Sequence, residues 1–102
     1  MELQIYEIEN MQSAREYLSE INEPVLLSNP QGSTRYYGMR VIDYIFRTLQ
    51  NEFPDKIKGI IVDVYDDYSA LVTAKELGYD TIKYNNQLCL KTSSIFSTKN
   101  YV

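Results

Sequence analysis

The stretch that decides the fold is GIIVDVYDDYSALVTAKELGYDTI, residues 59–82. It opens with the run Ile60–Val64, which is β-branched and mostly apolar at consecutive positions, as in a strand covered on both faces. A helix follows, because apolar residues recur at three- and four-residue intervals and Gly78 supplies a C-terminal cap. Thr81–Tyr84 predicts the next strand. The stretch is thus a β-α-β unit, and Ile60–Val64 is expected to be the central strand of a parallel sheet.

The residues before this unit repeat the alternation of strand and helix. Leu3–Ile8 and Val25–Leu27 predict two strands, and the helix between them starts at Asn10, a residue type favoured as N-cap. A turn-rich loop from Pro30 to Gly38 then leads into the longest helical pattern, which Pro54 ends. Its apolar stripe consists of Ile42, Ile45, Phe46, Leu49 and Phe53.

The residues after the unit predict one short returning strand. Asn85-Asn86 forms a tight turn that tolerates positive φ, and Gln87–Leu90 pairs back antiparallel. The Ser- and Thr-rich tail, 92–102, is weakly specified. We therefore expect a single α/β domain over residues 1–102, with a doubly wound, mostly parallel four-stranded sheet in the order β-α-β-α-β-α-β and a short antiparallel C-terminal strand. This flavodoxin-like arrangement would place helices on both faces of the sheet.

Composition excludes several classes of partner. Asp and Glu outnumber Lys and Arg by 14 to 10, which gives a net charge of -4 and disfavours nucleic acid. No run approaches the roughly 20 apolar residues of a membrane helix. The acidic N-terminus, MELQIYEIEN, is unlike a signal peptide, so we expect a cytoplasmic protein with no membrane partner.

Cysteine and histidine usage restricts the chemistry. Cys89 is the only cysteine, which excludes an internal disulfide and multi-cysteine metal sites, and we expect it to be a buried, inert thiol. The sequence has no histidine, and therefore lacks the commonest metal ligand and the commonest general base. No catalytic residue and no cofactor are predicted.

Two loops at the carboxyl ends of strands are the candidate working surface, because ligands of open parallel sheets bind at that edge. The first is SNPQGSTRYYG, residues 28–38, and the second is DVYDDY, residues 63–68. Tyrosine is favoured in protein interfaces, whereas Tyr17, Tyr44 and Tyr84 are expected to be structural. The candidate ligand-binding residues are Ser33, Thr34, Arg35, Tyr36 and Tyr37 from the first loop and Asp63, Asp66 and Tyr68 from the second.

Two sharper interpretations of these loops remain open. Arg35 can clamp an anion, with Ser33 and Thr34 as hydroxyl donors, although the glycine spacing does not match a P-loop. A weaker alternative places magnesium among Asp63, Asp66 and Asp67, where helix capping by Asp66 or Asp67 is the competing explanation.

Residues 59–82 resemble a pattern in small uncharacterised α/β proteins of alphaproteobacteria. The pattern is an apolar strand, an Asp, a second acidic residue and a small-residue helix that ends in Gly. The matching residues are Asp63, Asp66 or Asp67, Ala70, Leu71, Ala74 and Gly78. The resemblance implies an α/β fold and no assigned activity.

The function expected from these observations is a non-enzymatic binding or regulatory module. Its partner would be a second copy of the chain or another protein. The contact would be made by the two loops at the carboxyl edge of the sheet, 28–38 and 63–68, which are the rim loops. One alternative is a small enzyme or a binder of a phosphorylated or anionic metabolite that uses the 32–38 loop. Another is an interaction protein that recruits its partner through the sheet edge and the C-terminal tail.

Overall fold

A computed structural model describes residues 3–90, and for Cys89 and Leu90 it describes the backbone alone. The predictions for the 92–102 tail and for a buried Cys89 thiol lie outside the described residues and side chains. The elements in chain order are β1 (Ile5–Glu7), α1 (Met11–Glu20), β2 (Val25–Ser28), α2 (Ser33–Tyr37), α3 (Met39–Glu52), β3 (Ile57–Tyr65), α4 (Tyr68–Glu76), β4 (Thr81–Tyr84) and β5 (Gln87–Leu90).

The strands form one sheet in the order β1-β2-β3-β4-β5, with β3 at its centre. The first four strands are parallel, and β5 pairs antiparallel with β4 across a turn in which Asn85 and Asn86 have φ of 51° and 65°. The α/β class, the interleaved helices, the central position of Ile60–Val64 and the antiparallel last strand are confirmed, as expected of a flavodoxin-like alternation of strands and helices.

The helices lie on one face of this sheet, which corrects the expectation that they would cover both. The strands follow chain order without a reversal, and right-handed crossovers that all advance in one direction leave their helices on the same side. Register agrees, because Leu27 lies beside Ile60, and Val62 beside Ile82, on the face that contributes to the core. The buried residues of α1, α3 and α4 belong to that one core, and include Leu18, Phe46, Leu49, Leu71 and Ala74.

Local signals set the helix ends. The Asn10 side chain accepts a hydrogen bond from the Ser13 amide at 2.8 Å, and the Asp67 side chain accepts one from the Ala70 amide at 3.1 Å. Both capping predictions are confirmed, with Asp67 and not Asp66 as the N-cap of α4. Gly78 follows α4 with φ of 96°, the left-handed conformation expected at a C-terminal cap.

The segment from Pro30 to Gly38 is more ordered than the predicted loop, because it contains the short helix α2. The Ser33 amide donates to the Pro30 carbonyl at 3.0 Å, which starts the turn. Gly38, with φ of 92°, ends α2 by donating to the Thr34 carbonyl and also begins α3. A side chain at Gly38 would be strained, so this glycine separates the two helices.

Candidate functional site

The two predicted rim loops meet at the carboxyl edge of the sheet, and Asn29 joins them. Its side-chain amide donates to the Asp63 carbonyl and accepts from the Asp63 amide, both at 2.8 Å. The same nitrogen donates to the Ser33 hydroxyl at 2.7 Å. Asn29 is only 2% exposed, and Pro30 after it has no N–H to continue a ladder. The side chain therefore extends the pairing of β2 with β3 by one step.

Two further contacts fix α2 against the loop before α4. The Thr34 hydroxyl donates to the Asp67 carboxylate at 3.1 Å, and Arg35 donates to the carboxylate and the carbonyl of Asp66, both at 3.2 Å. Thr34 is buried, whereas the Arg35–Asp66 ion pair is more than half exposed. The structure thus brings Ser33, Thr34, Arg35, Asp63 and Asp66 together, and it uses most of their polar atoms within the protein.

The three carboxylates of the magnesium alternative have separate tasks. Asp63 accepts from the Tyr65 amide at 2.9 Å, Asp66 pairs with Arg35, and Asp67 caps α4. Among residues 3–90, no group of three acidic or cysteine side chains is placed to hold a metal ion. The capping explanation therefore accounts for Asp67, and the ion pair accounts for Asp66.

The predicted rim tyrosines separate into two places. The Tyr36 and Tyr37 side chains are 81% and 54% exposed, and their rings meet edge to face with centroids 4.8 Å apart. Tyr68 is exposed as well, but its ring faces Tyr84 on β4. Of these three tyrosines, Tyr36 and Tyr37 border a groove between α1 and α3, and Tyr68 does not.

A groove of about 670 Å³ lies between the start of α1 and the first half of α3, over the carboxyl ends of β1 and β2. Glu9 is the one charged residue among the described residues that line it. The polar positions are those of Asn10, Asn29, Gln31 and Ser33. The apolar wall and the aromatic rim consist of Ile8, Met11, Tyr36, Tyr37, Val41, Ile42, Ile45 and Phe46.

Helix α1, which forms one side of the groove, is tied to the rest of the fold at its middle and at its C-terminal end. Arg15 forms a two-pronged ion pair with Glu52 on α3 at 2.8 and 2.7 Å, and its hydrogen bond lowers the pKa of Glu52. Lys56 donates to the carbonyls of Leu18 and Ile21 at 3.0 and 2.7 Å, which satisfies the end of α1. The first turn of α1 makes neither of these contacts, and the groove lies between it and α3.

Neither the role of Asn29 nor the groove is among the features predicted from the sequence. The available signal for Asn29 was its position directly before a proline at the end of a strand. The signal for the groove was Val41, which widens the apolar arc of α3 beyond the stripe needed for the core, since Val41 remains 46% exposed.

No helix within residues 3–90 is both long and apolar enough to cross a bilayer.

Comparison with known proteins shows one clear similarity. The chain is 49% identical over 80 residues to the uncharacterised protein RP547 of Rickettsia prowazekii (strain Madrid E), and the match covers 78% of this chain and 76% of that protein. No family model and no solved structure matches. The resemblance to small alphaproteobacterial α/β proteins is confirmed, and the chain belongs to the family that includes the Rickettsia protein.

Proposed function

We propose that this protein is a non-enzymatic binding module, and that its ligand is a small, mostly apolar molecule held in the groove between α1 and α3. The observation that supports the proposal is the groove itself, about 670 Å³ in volume at the carboxyl edge of a parallel sheet. Pockets that bind small molecules have volumes of roughly 300–1,000 Å³ and occur at this edge in α/β proteins.

The lining indicates the chemistry of the ligand. Met11, Val41 and Ile45 form apolar walls, and Met11 can adjust to the shape of what it contacts. Gln31 and Ser33 supply hydrogen-bonding groups on one side, and the exposed rings of Tyr36 and Tyr37 border the opening. This combination suits an apolar or aromatic body that carries one neutral hydrogen-bonding group.

The charges disfavour the anionic ligand considered from the sequence. Glu9 would repel an anion in the groove, and Arg35 does not line the groove. The Arg35 guanidinium is already paired with the Asp66 carboxylate, so its charge is largely neutralised. Binding without catalysis is favoured because the chain has no histidine and the groove brings no cluster of acids and bases together.

Binding of the neutral apolar dye Nile red tests the proposal. Wild-type protein should enhance the dye fluorescence saturably. The substitution Val41→Gln should weaken dye binding about three- to tenfold, because it replaces an apolar contact with the bound dye, worth about 1 kcal/mol, by a polar one. Val72→Gln is the matched control, since Val72 is an exposed valine on α4 at 37% exposure.

Equal loss of dye binding in the two variants would contradict the proposal, as would unchanged binding in Val41→Gln. Circular dichroism and thermal melting of both variants should match the wild type, because each position is exposed in the free protein.

A further inference from the structure

The sheet face opposite the helices carries exposed apolar side chains. Ile5 on β1 and Leu88 on β5 are 56% and 54% exposed. Leu26 and Ile61 lie between them on the middle strands and are partly buried. Register places all four on this face, because they alternate with the strand residues that enter the core.

No helix among residues 3–90 covers this face, the bare sheet face, and that is unusual for a parallel sheet. Parallel strands occur almost only where both faces are covered, because their side chains are apolar on both sides. Near the start of β3, Gly59 has no side chain, and a Cβ placed there would lie 3.2 Å from the Leu26 side chain on the neighbouring strand β2. Leu26 therefore fills the space that the glycine leaves.

Charged residues of opposite sign lie towards opposite flanks of this face. Glu7 lies on β1, two residues from Ile5, and Lys83 lies on β4 as the register partner of Leu88. Asp63, the neighbour of Lys83 on β3, is buried with its carboxylate bonded to the Tyr65 amide. A two-fold axis parallel to the strands exchanges the two flanks of the sheet, and it would place Glu7 of each copy near Lys83 of the other.

We propose that two copies of this chain associate through this face, sheet against sheet, with Ile5, Leu26, Ile61 and Leu88 at the interface and Glu7–Lys83 pairs at its flanks. Five strands about 4.8 Å apart, most of them four residues long at about 3.3 Å per residue, cover roughly 300 Å² per copy. Stable interfaces bury about 800 Å² per partner, so the dimer is weak and depends on concentration.

Sedimentation equilibrium of the whole chain between about 10 μM and 1 mM tests the proposal. The wild type should dimerise. Glu7→Lys and Lys83→Glu should each weaken the dimer about three- to tenfold, because each removes two symmetric contacts. The double variant Glu7→Lys/Lys83→Glu should restore it. Glu16→Lys on the exposed side of α1 changes the net charge by the same amount as Glu7→Lys, and it should have no effect on the dimer.

Single variants that dimerise as well as the wild type would overturn the proposal, as would a double variant that dimerises no better than the single variants. So would a dimer that Val41→Gln breaks, because Val41 lies on the helix side. A wild type that stays monomeric overturns it too; if Leu88→Lys then destabilises that monomer, the face is covered by residues 91–102 of the same chain.

Discussion

Asn29 is the residue on which the carboxyl edge depends. Its side chain occupies the place of a further residue of β2, and it satisfies the amide and the carbonyl of Asp63 at once. Both groups lie at the end of the central strand, away from water, where an unpaired amide or carbonyl is costly. The loop that carries Ser33 also depends on it, through the bond to the Ser33 hydroxyl.

The substitution Asn29→Ala should lower the free energy of unfolding by about 2–4 kcal/mol, because it leaves buried backbone groups without partners. Urea denaturation followed by circular dichroism measures this loss. Asn22→Ala is the matched control, since Asn22 is exposed in the turn before β2 and should change stability by less than about 0.5 kcal/mol. A similar effect of the two substitutions would remove the special role of Asn29.

Single residues were predictable where their partners are near in sequence. Asn10 caps a helix by bonding to a residue three positions away, and Asn85 and Asn86 take positive φ within their own turn. Asn29 bonds to Asp63, 34 residues away, and only the pairing of β2 with β3 brings them together. The residues around Asn29 predict a turn, but they do not predict its bond to Asp63.

The turn between α4 and β4 is fastened to α3 by a polar cluster. The Tyr79 hydroxyl donates to the Asp43 carboxylate at 2.5 Å, and Arg47 donates to the same oxygen at 2.7 Å and to the Leu77 carbonyl at 2.9 Å. The Tyr79 ring also meets Phe46 of the core edge to face. Burial and then the hydrogen bond to Asp43 raise the pKa of Tyr79 well above its ordinary value.

Tyr79→Phe should reduce the free energy of unfolding at pH 7 by about 1–2 kcal/mol, because it removes a hydrogen bond to a charged group. In the wild type, the raised pKa of Tyr79 stabilises the folded state at any pH below the ordinary tyrosine pKa of about 10. This stabilisation is lost as pH rises above that value, because the tyrosine of the unfolded chain then releases its proton before that of the folded chain. When denaturation is measured at pH 7 and again above pH 10, the free energy of unfolding should fall less in Tyr79→Phe than in the wild type. Tyr44 is exposed, so the control Tyr44→Phe should lose as much stability between the two pH values as the wild type does. If Tyr79→Phe also lost as much stability as the wild type, this account would be contradicted.

Strands and long helices were predictable from periodicity, and the candidate site was predictable only in part. Helix α3 was found from its buried stripe, but α2 has five residues and is too short to show a period. The rim loops were expected to lie together, and Thr34–Asp67 and Arg35–Asp66 contacts bring them together. The groove depends on the distance between α1 and α3, which no pattern within either helix reports.

At the scale of the whole molecule, the strand order determines which surfaces remain for binding. Strands in chain order place the helices on one face, and within residues 3–90 this leaves a groove between α1 and α3 and a sheet face that no helix covers. The apolar run Ile60–Val64 indicated a strand covered on both faces, because Ile61 is as apolar as the residues that enter the core. Sequence shows that the second face is apolar, and it does not show whether a helix of the same chain covers it.

Methyl-resolved NMR of the labelled protein, titrated with the neutral aromatic compound indole, tests most directly the claim that the α1–α3 groove is the ligand site. The methyl signals of Met11, Val41 and Ile45 should shift together along one binding curve, because these side chains line the groove. Methyl signals of Val72 on α4 and of Ile61 on the bare sheet face should stay in place. Shifts confined to Ile61, or equal small shifts over the whole protein, would contradict the claim.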